Sequence, residues 1–482
     1  MNRQKGKIIF LLLFFLSLTG CAINPVTGQK EIMLVSEGQE IAMGREFYPS
    51  ALWGDIGGGG ELKDAETKAY LQEIVAGLHR VSHRPHLPLE FAIQNSSVPN
   101  AWAIPGHVVM TRGLLAGLEN EAEFAYIMGH EMGHVSARHS AQQMSYGMLQ
   151  QIGLGAAGIA LSGSDYADTA LTVGAIGSSL LLLKYSRDDE LEADRLGILY
   201  MTRLGYDPNS ALSAHRNLEK LSQEHMQSAG KNTPEQGFFQ DLLSTHPRTS
   251  VRIGEIQQMI SKTPRIPFAG DGKHRERFQT KLKNLKRLNG LYLEYYDKAV
   301  RALQEKDIAR ADSLITQALN KEQNQPSFHT LKGMIMLKNK VHRESEKYFH
   351  AALQIDKGYE PAQRGLGILR YAEKNYSEAI KYLRASLSLY PQDISSHYYL
   401  GMSYYRTKSY SNAIPSLKTF AEAQPNHVQV YGILGICFEE TGDIPSAYQA
   451  YVMQTRIAPD NDMGRHAASR VAVLKPYLEK KK

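Results

Sequence analysis

Residues 130–134 read His-Glu-Met-Gly-His. If this stretch is helical, His130 and His134 lie on one face of the helix, because they are four residues apart. Two neutral imidazoles at this spacing can bind one zinc ion, and Glu131 then lies beside the ion as a general base toward water. The pattern is short and also occurs by chance. It needs a helix, a third ligand and a substrate groove around it before it indicates a function.

The helix that carries these residues is marked in the sequence itself. Asn120 and Glu123 fit a capping box, and an apolar stripe at helical spacing follows them. Gly129 and Gly133 weaken this helix, at a cost of roughly 1 kcal/mol each relative to alanine. Two glycines in one turn therefore indicate that another element packs closely against this side of the helix.

A third ligand is expected in a second helix, which is predicted to begin at Ser186 and to end at Gly205. Glu190 in this helix can supply a carboxylate oxygen to the metal. Asp194 lies four residues further on, hence on the same face, and can accept the N–H of a metal-binding imidazole. The alternative is that these acids form a solvated helix surface. The His-Glu-x-x-His pattern upstream favours the metal site.

These motifs together resemble a known family. The stretch 130–134, Ser186-Arg187 and the run Glu190-Leu191-Glu192-Ala193-Asp194 are similar to the gluzincin endopeptidases related to HtpX and the CAAX prenyl proteases. Residues 24–28 (Asn-Pro-Val-Thr-Gly) and 100–106 (Asn-Ala-Trp-Ala-Ile-Pro-Gly) support the resemblance.

The resemblance covers roughly residues 22–260 and implies a zinc endopeptidase. It implies one Zn²⁺ per chain, with Glu131 as the catalytic base. It implies three metal ligands: His130, His134 and Glu190. It also implies that residues 100–111 form an edge strand beside the cleft, where an extended substrate adds its backbone by β-augmentation.

Residues 244–247, Ser-Thr-His-Pro, resemble the segment of BepA-like members of this family whose histidine occupies the open position of the zinc ion. The resemblance implies that His246 is a fourth ligand in a repressed state and, once displaced, helps to stabilise the oxyanion. Arg252, just downstream, is expected to orient this loop. The alternative for His246 is a surface-loop histidine. Five other histidines are interpreted as structural or solvent-facing: His79, His83, His86, His107 and His139.

The composition is that of a globular protein, with 43% hydrophobic and 22% charged residues. A chain of 482 residues is too long for one core, so two or more domains are expected. The net charge of +6 is modest at this length, and without a nucleic-acid motif it gives no reason to expect nucleic acid as a partner. With only Cys21 and Cys437, a disulfide framework and a cysteine-based zinc site are both excluded. Cys437 is expected to be a small buried core residue.

The N-terminus has the pattern of a lipoprotein signal peptide. A basic start precedes the apolar residues 8–18, which are too few to span a bilayer. The segment ends Leu18-Thr19-Gly20-Cys21, which resembles a bacterial lipobox and implies cleavage before Cys21 and lipidation of that residue. Ala22 follows instead of aspartate, which favours sorting to the outer membrane. The alternative is an ordinary secreted protein with a chance cysteine here.

From about residue 290 the sequence repeats with a period of 34 residues. The recurring positions hold small residues and prolines: Gly333, Gly367, Gly401 and Gly435; Ala311, Ser345, Ala379, Ala413 and Ala447; Pro391, Pro425 and Pro459. This period, with helix-turn-helix patterning, predicts tetratricopeptide repeats. Such repeats stack into a curved solenoid whose concave face binds proteins or peptides.

Two further segments leave alternatives open. Residues 147–183 are apolar and rich in glycine and alanine, and they predict either a buried helical hairpin near the site or a mobile plug that contacts a membrane. Residues 266–289 are rich in lysine and arginine. They predict a basic linker helix, which we interpret as solvated rather than bound to anionic lipid.

The sequence therefore predicts a mainly α protein with four segments: a signal peptide (1–20), a zinc metallopeptidase domain with a small sheet (21–265), the basic linker helix (266–289) and tetratricopeptide repeats (290–482). We expect a periplasmic endopeptidase, anchored to the outer membrane, that degrades misfolded or stalled envelope proteins and assists assembly of outer-membrane proteins. The repeats are expected to recruit substrate or the assembly machinery. One alternative is a chaperone or adaptor with latent proteolysis, and another is a repeat scaffold with an inactive protease domain.

Overall fold

The structure is a computed structural model that describes five stretches of the chain: residues 21–54, 59–149, 185–229, 250–264 and 266–479. The predicted signal peptide, His246 and most of the apolar segment at 147–183 lie outside these stretches. The chain divides into two compact units, Met1–Gly290 and Leu291–Lys482. Helices dominate both units, which confirms the mainly α prediction.

The first unit opens with a hairpin and two helices. Strand β1 (Cys21–Ile23) pairs antiparallel with β2 (Lys30–Ile32). Helix α1 (Glu37–Trp53) begins at Ser36, whose side chain accepts a backbone N–H of the first turn, and α2 (Ala65–Val81) follows. The cap satisfies one of the N–H groups that the start of a helix leaves open.

A three-stranded sheet follows, made of β3 (Glu90–Gln94), β4 (Ala101–Ile104) and β5 (His107–Thr111). Strand β5 lies in the centre, parallel to β3 and antiparallel to β4. The expectation of one edge strand over residues 100–111 is thereby corrected. The chain turns back at Pro105-Gly106, where Gly106 has a φ of 94° that favours glycine, so within residues 100–111 only β4 lies at an edge of the sheet.

The core of the first unit lies between this sheet and the helices behind it. After the short α3 (Arg112–Gly117), helix α4 (Glu121–Ala137) is buried along nearly its whole length. Phe91 of β3 meets Phe124 of α4 edge to face, with ring centroids 5.8 Å apart, and β4 also contacts α4. Helix α4 is therefore the central helix of the unit, and its polar side chains need partners because water does not reach them.

Helix α4 begins at Asn120 as expected, but through half of a capping box. The Asn120 side-chain oxygen accepts the Glu123 N–H at 3.0 Å. The Glu123 carboxylate, however, accepts the N–H of Glu119 at 2.8 Å instead of that of Asn120. Residues 139–149 are also helical, and three further helices follow them: α5 (Arg187–Arg203), α6 (Ser210–Ala229) and α7 (Ser250–Lys262).

The segment expected as one basic linker helix forms two short helices, α8 (Arg275–Lys281) and α9 (Lys283–Leu291). Its apolar face is fully buried, as Phe278 shows. Arg277 pairs with the buried carboxylate of Glu121 at the start of α4. These contacts make the segment part of the first unit and not a solvated connection.

The second unit begins with a π-helical turn, Tyr292–Tyr296, and continues as a row of α-helices. They are α10 (Asp297–Gln304), α11 (Ile308–Lys321), α12 (Pro326–Lys338), α13 (His342–Ile355), α14 (Glu360–Ala372), α15 (Tyr376–Leu389), α16 (Ile394–Arg406), α17 (Tyr410–Ala423), α18 (Val430–Glu440), α19 (Ile444–Ile457) and α20 (Asp462–Glu479). Consecutive helices pack against one another, as in helix-turn-helix repeats. Cys437 is a buried free cysteine in α18, as expected.

The repeated glycines allow the two helices of each repeat to pack closely against each other. Each glycine faces a large side chain sixteen residues later: Gly333 faces Phe349, Gly367 faces Leu383, Gly401 faces Leu417, and Gly435 faces Tyr451. A Cβ at any of these glycines would come within 2.5–2.8 Å of that side chain. Only glycine leaves room there, which is why the 34-residue period shows so clearly in the sequence.

A second feature repeats with the same period. Lysine occupies the left-handed turn between the two helices of four successive repeats, at Lys306, Lys340, Lys374 and Lys408, with φ between 58° and 64°. Gly442 takes the equivalent position in the next repeat. Lys306 shows that the chain already makes this turn before the first of the repeated glycines, Gly333.

No helix among the described residues has both the length and the apolar content to cross a membrane.

Replacing Lys374 with glycine is expected to stabilise the second unit by roughly 0.5–1 kcal/mol, because a left-handed conformation strains a residue that has a Cβ. The free energy of unfolding of the full chain, measured by denaturant titration, checks this. The matched control is Lys381→Gly at an exposed position inside α15, which should destabilise by roughly 1 kcal/mol. Changes of the same sign in both variants would contradict the turn argument.

Candidate metal centre

The site is built where α4 and α5 cross at very short distance. A Cβ added to Gly133 would lie 3.1 Å from the Cα of Ala193, and one added to Gly129 would lie 3.1 Å from the Cα of Gly197. Seen from α5, a Cβ on Gly197 would lie 3.0 Å from the backbone N of His130. The close approach expected from the two glycines of α4 is therefore a contact of backbone against backbone with α5.

This crossing brings three possible ligands together. The Nε2 atoms of His130 and His134 are 3.1 Å apart. The Glu190 carboxylate lies 3.4 Å from His134 Nε2 and 3.8 Å from His130 Nε2. Within the described residues, these three side chains are the one group of histidines, cysteines and acids able to hold a metal ion, with ligand atoms within 4.8 Å of one another.

The residues fit a divalent metal ion by their chemistry as well as their spacing. Two imidazoles and one carboxylate form a three-ligand set of the kind that catalytic zinc sites use, with a fourth position left for water. All three side chains are buried, Glu190 at 1% exposure. Burial lowers the pKa of His134 well below its usual value, which leaves the ring neutral and able to bind a metal. Glu131 lies on the same helix and is also buried.

Asp194 holds one of the two histidine rings. Its Oδ1 lies 2.9 Å from His130 Nδ1 and also accepts the Tyr126 hydroxyl at 2.7 Å. Burial alone would raise the pKa of this carboxyl, but hydrogen bonds and the charge of Arg252 outweigh it and hold the pKa well below its usual range. A charged Asp194 accepts the Nδ1–H of His130, which leaves Nε2 of that ring as the metal-binding atom.

Arg252 lies directly at the site. Its guanidinium donates to both carboxylate oxygens of Asp194 at 2.7 Å, and its Nη1 lies 2.7 Å from Glu190 Oε2. The sequence suggested that Arg252 orients the loop around His246, and that loop lies outside the described residues. The structure shows that Arg252 is buried and pairs with the carboxylates of Glu190 and Asp194. Among the described residues, no other cation lies as close to these two carboxylates.

Four side chains around the site were missed by sequence reasoning. Tyr126 bridges Asp194 to His215, whose Nε2 lies 2.8 Å from the tyrosine hydroxyl. Tyr185 stacks on the His134 ring, with centroids 4.0 Å apart. His139, interpreted above as structural or solvent-facing, has its Nδ1 2.9 Å from His134 Nδ1. Tyr126 lies four residues before His130 in α4, so the helical period could have marked it. The other three lie outside α4, where that period does not mark them.

The buried ligand cluster on two crossing helices, with Glu131 beside it, defines the class of the first unit as a metallopeptidase of the His-Glu-x-x-His type. Residues 65–260 match the family model Peptidase family M48. Residues 365–393 and 398–462 match tetratricopeptide repeat models. The chain thus carries a peptidase family M48 domain followed by C-terminal tetratricopeptide repeats, which confirms the predicted resemblance and the metalloendopeptidase class.

Curated relatives match part of the chain. Mitochondrial metalloendopeptidase OMA1 of Arabidopsis thaliana is 32% identical over 178 residues, or 37% of this chain and 33% of the relative. Beta-barrel assembly-enhancing protease of Escherichia coli K12 is 29% identical over 246 residues, or 49% of this chain and 47% of the relative. Metalloprotease YcaL of the same organism is 26% identical over 36% of this chain and 63% of its own length. The chain spans about a third to somewhat under two thirds of these relatives.

Among solved structures, pilF of Pseudomonas aeruginosa is similar to 40% of this chain and 93% of its own chain, at 17% identity and a TM-score of 0.35. The repeat assignment stands on the two family models and on the 34-residue period.

Replacing Gly133 with alanine is expected to lower the stability of the first unit by about 1–3 kcal/mol, because the new methyl group meets backbone atoms of Ala193 that cannot rotate away. The same displacement moves Glu190 from the histidines, so zinc affinity should fall too. Denaturant unfolding and chelator competition measure the two effects. Gly38→Ala is the matched control, since nothing lies within 4 Å of a Cβ there. A Gly133 variant that behaves like the control would refute the close-contact argument.

Proposed function

We propose that the chain is a zinc-dependent endopeptidase of the cell envelope. One observation carries this proposal: three buried ligand atoms from α4 and α5 converge within 4.8 Å, and Glu131 follows the first ligand in the same helix. A structural zinc site would be closed by four protein ligands. Among the described residues the cluster holds two histidines and one carboxylate, a ligand set of the kind that catalytic zinc sites use with a further position for water.

In this proposal each residue has a separate task. His130, His134 and Glu190 hold the ion, which when bound supplies a Lewis acid that polarises the peptide carbonyl and lowers the pKa of water. Glu131 takes a proton from the attacking water and later gives it to the leaving amine. Asp194 fixes the His130 ring through the 2.9 Å hydrogen bond, and Arg252 forms ion pairs with both Asp194 and Glu190.

The substrate is proposed to bind as an extended strand. β4 forms one edge of the sheet. It contacts α4, the helix that carries the two histidine ligands. An edge strand offers unpaired backbone N–H and C=O groups to a chain that is not itself folded. This favours unfolded or misassembled proteins as substrates, since folded proteins present few free extended segments.

The cellular setting is proposed from the lipobox and the relatives. Lipidation of Cys21 would anchor the chain to the outer membrane, on its periplasmic side. One relative is named for the enhancement of β-barrel assembly, and we propose a related task here: removing stalled or misfolded outer-membrane proteins and assisting their assembly. The tetratricopeptide repeats would recruit the substrate or the assembly machinery, because concave repeat surfaces commonly bind proteins.

Regulation by His246 is proposed from the resemblance alone. As a fourth ligand it would displace the water and close the site. His246→Ala is then expected to raise the basal rate of casein cleavage by the full-length protein at unchanged zinc content. A fall in this rate without any loss of zinc would show that His246 assists the reaction instead of repressing it.

Glu131→Gln is the direct test of the proteolytic mechanism. Glutamine cannot take up the proton, so cleavage of an unfolded substrate such as casein should fall by at least about 100-fold. The zinc content, measured by metal analysis, should stay at one ion per chain, because the ligands are untouched. Glu224→Gln, at an exposed position of α6, is the control and should cleave like the wild type. Persistent cleavage by the Glu131 variant would refute the mechanism.

A second candidate function is that of a chaperone or adaptor in which the repeats do most of the work. The ordered repeat unit Leu291–Lys482 favours this candidate. The same Glu131→Gln variant separates the two candidates in a deletion strain with envelope defects. We expect it to fail to restore the envelope. Rescue equal to the wild type would make binding the main function and proteolysis a latent activity.

A further inference from the structure

The two metal-binding histidines are oriented by different groups. His130 turns its Nδ1 toward the carboxylate of Asp194. His134 turns its Nδ1 toward the Nδ1 of another histidine, His139, at 2.9 Å. The two rings stand at 70° to each other with centroids 5.0 Å apart, which suits an N–H of one ring directed at the lone pair of the other.

The end of α4 explains why His139 reaches back to the site. The helix ends at Ala137, Arg138 adopts a left-handed conformation with a φ of 63°, and a new helical segment starts at His139. Arg138 is held in place by the buried carboxylate of Glu40 at 3.3 Å and by the carbonyl of Val35 at 2.8 Å. The His139 side chain that follows is 2% exposed.

The tautomers of this histidine pair are fixed by the metal. A ring that binds a metal through Nε2 carries its proton on Nδ1. His134 must then donate from Nδ1, and His139 must accept with an unprotonated Nδ1. The proton of His139 therefore lies on Nε2.

The opposite side of His139 meets this requirement. Its Nε2 lies 3.3 Å from an oxygen of Glu192 and 3.7 Å from one of Asp189, both on α5. Glu192 also accepts a hydrogen bond from Arg195 at 3.1 Å, which keeps its carboxylate in place. The Nε2 proton of His139 therefore has an acceptor in Glu192, just as the Nδ1 proton of His134 has an acceptor in His139.

We propose that His139, held by Glu192, is a positioning residue that keeps the His134 ring in the tautomer and orientation that bind the metal. The inference rests on the proposed zinc site. His139 is not one of the three clustered ligands, and in this proposal it acts only through His134. Orienting partners of this kind are typically worth about 10- to 100-fold in metal affinity.

Two amide substitutions separate hydrogen bonding from packing. In asparagine the side-chain oxygen takes the place of Nδ1 of histidine and can accept from His134. In glutamine the amide nitrogen takes the place of Nε2 and can reach only Glu192. His139→Asn should therefore keep the zinc affinity close to that of the wild type. His139→Gln and His139→Leu should lower it by about 10- to 100-fold.

The measurement is the zinc dissociation constant of the full chain, from competition with a chromophoric chelator. Thermal unfolding in excess chelator reports the stability of each metal-free variant. His79→Leu in α2 is the control: it removes a 2.9 Å contact to the Leu87 carbonyl, remote from the site, and should leave zinc affinity unchanged. If His139→Leu does not fold, Glu192→Leu takes its place, because this side chain is one-fifth exposed and its loss frees the His139 tautomer.

Equal zinc affinity of the asparagine and glutamine variants would overturn the inference, whether both match the wild type or both fall. Failure of the zinc site itself gives a different result. In that case the wild type binds no zinc, or His134→Ala binds as much as the wild type. Zinc binding that depends on His134 but not on the residue at 139 would refute the role of His139 alone.

Discussion

The backbone contact between α4 and α5 is the constraint on which the rest of the first unit depends. Gly129, Gly133 and Gly197 remove the side chains that would otherwise keep the two helices apart. At the usual separation of about 8–10 Å between helix axes, side chains fill the space between them. Here this space is closed. The ligand atoms of the two helices meet in one buried cluster, within 4.8 Å of one another.

Closing this space buries carboxylates of α5 away from water. A cation from another helix compensates their negative charge. Asp194 and Glu190 are both almost fully buried, and a buried unpaired carboxylate is strongly destabilising. Arg252 of α7 forms an ion pair with each of them, and the proposed metal would add positive charge beside Glu190. A second buried group does the same at the end of α4, where Arg84 and Arg138 share the carboxylate of Glu40. The ion pairs of Arg252 hold Glu190 and Asp194 in place. The ion pair of Glu40 holds Arg138, the residue that follows α4.

The sequence is enough to predict the features that repeat along a helix. The spacing of His130 and His134, and that of Glu190 and Asp194, follows from the helical period, so these residues can be selected as candidates from the sequence. The two glycines of α4 indicate a close contact, but which helix packs there is known only from the structure. The turn at Pro105-Gly106 is visible in the sequence, yet one strand was predicted across it. The pairing of Arg252 with Glu190 cannot be predicted in this way, because it joins helices whose approach depends on the whole fold. His139 lies past the end of α4, after the left-handed Arg138, so the helical period of α4 does not predict its position.

Small residues serve two different purposes in the two units, and the difference bears on function. In the first unit glycine meets glycine or alanine, so backbones touch and the neighbouring histidines and carboxylates converge. In the second unit each repeated glycine receives a phenylalanine, leucine or tyrosine, so the helices interlock through an apolar contact that carries no chemistry. The first arrangement leaves polar atoms facing one another in a buried space, which a metal ion can occupy. The second uses the repeated close approaches for packing and leaves most of its charged residues on the surface.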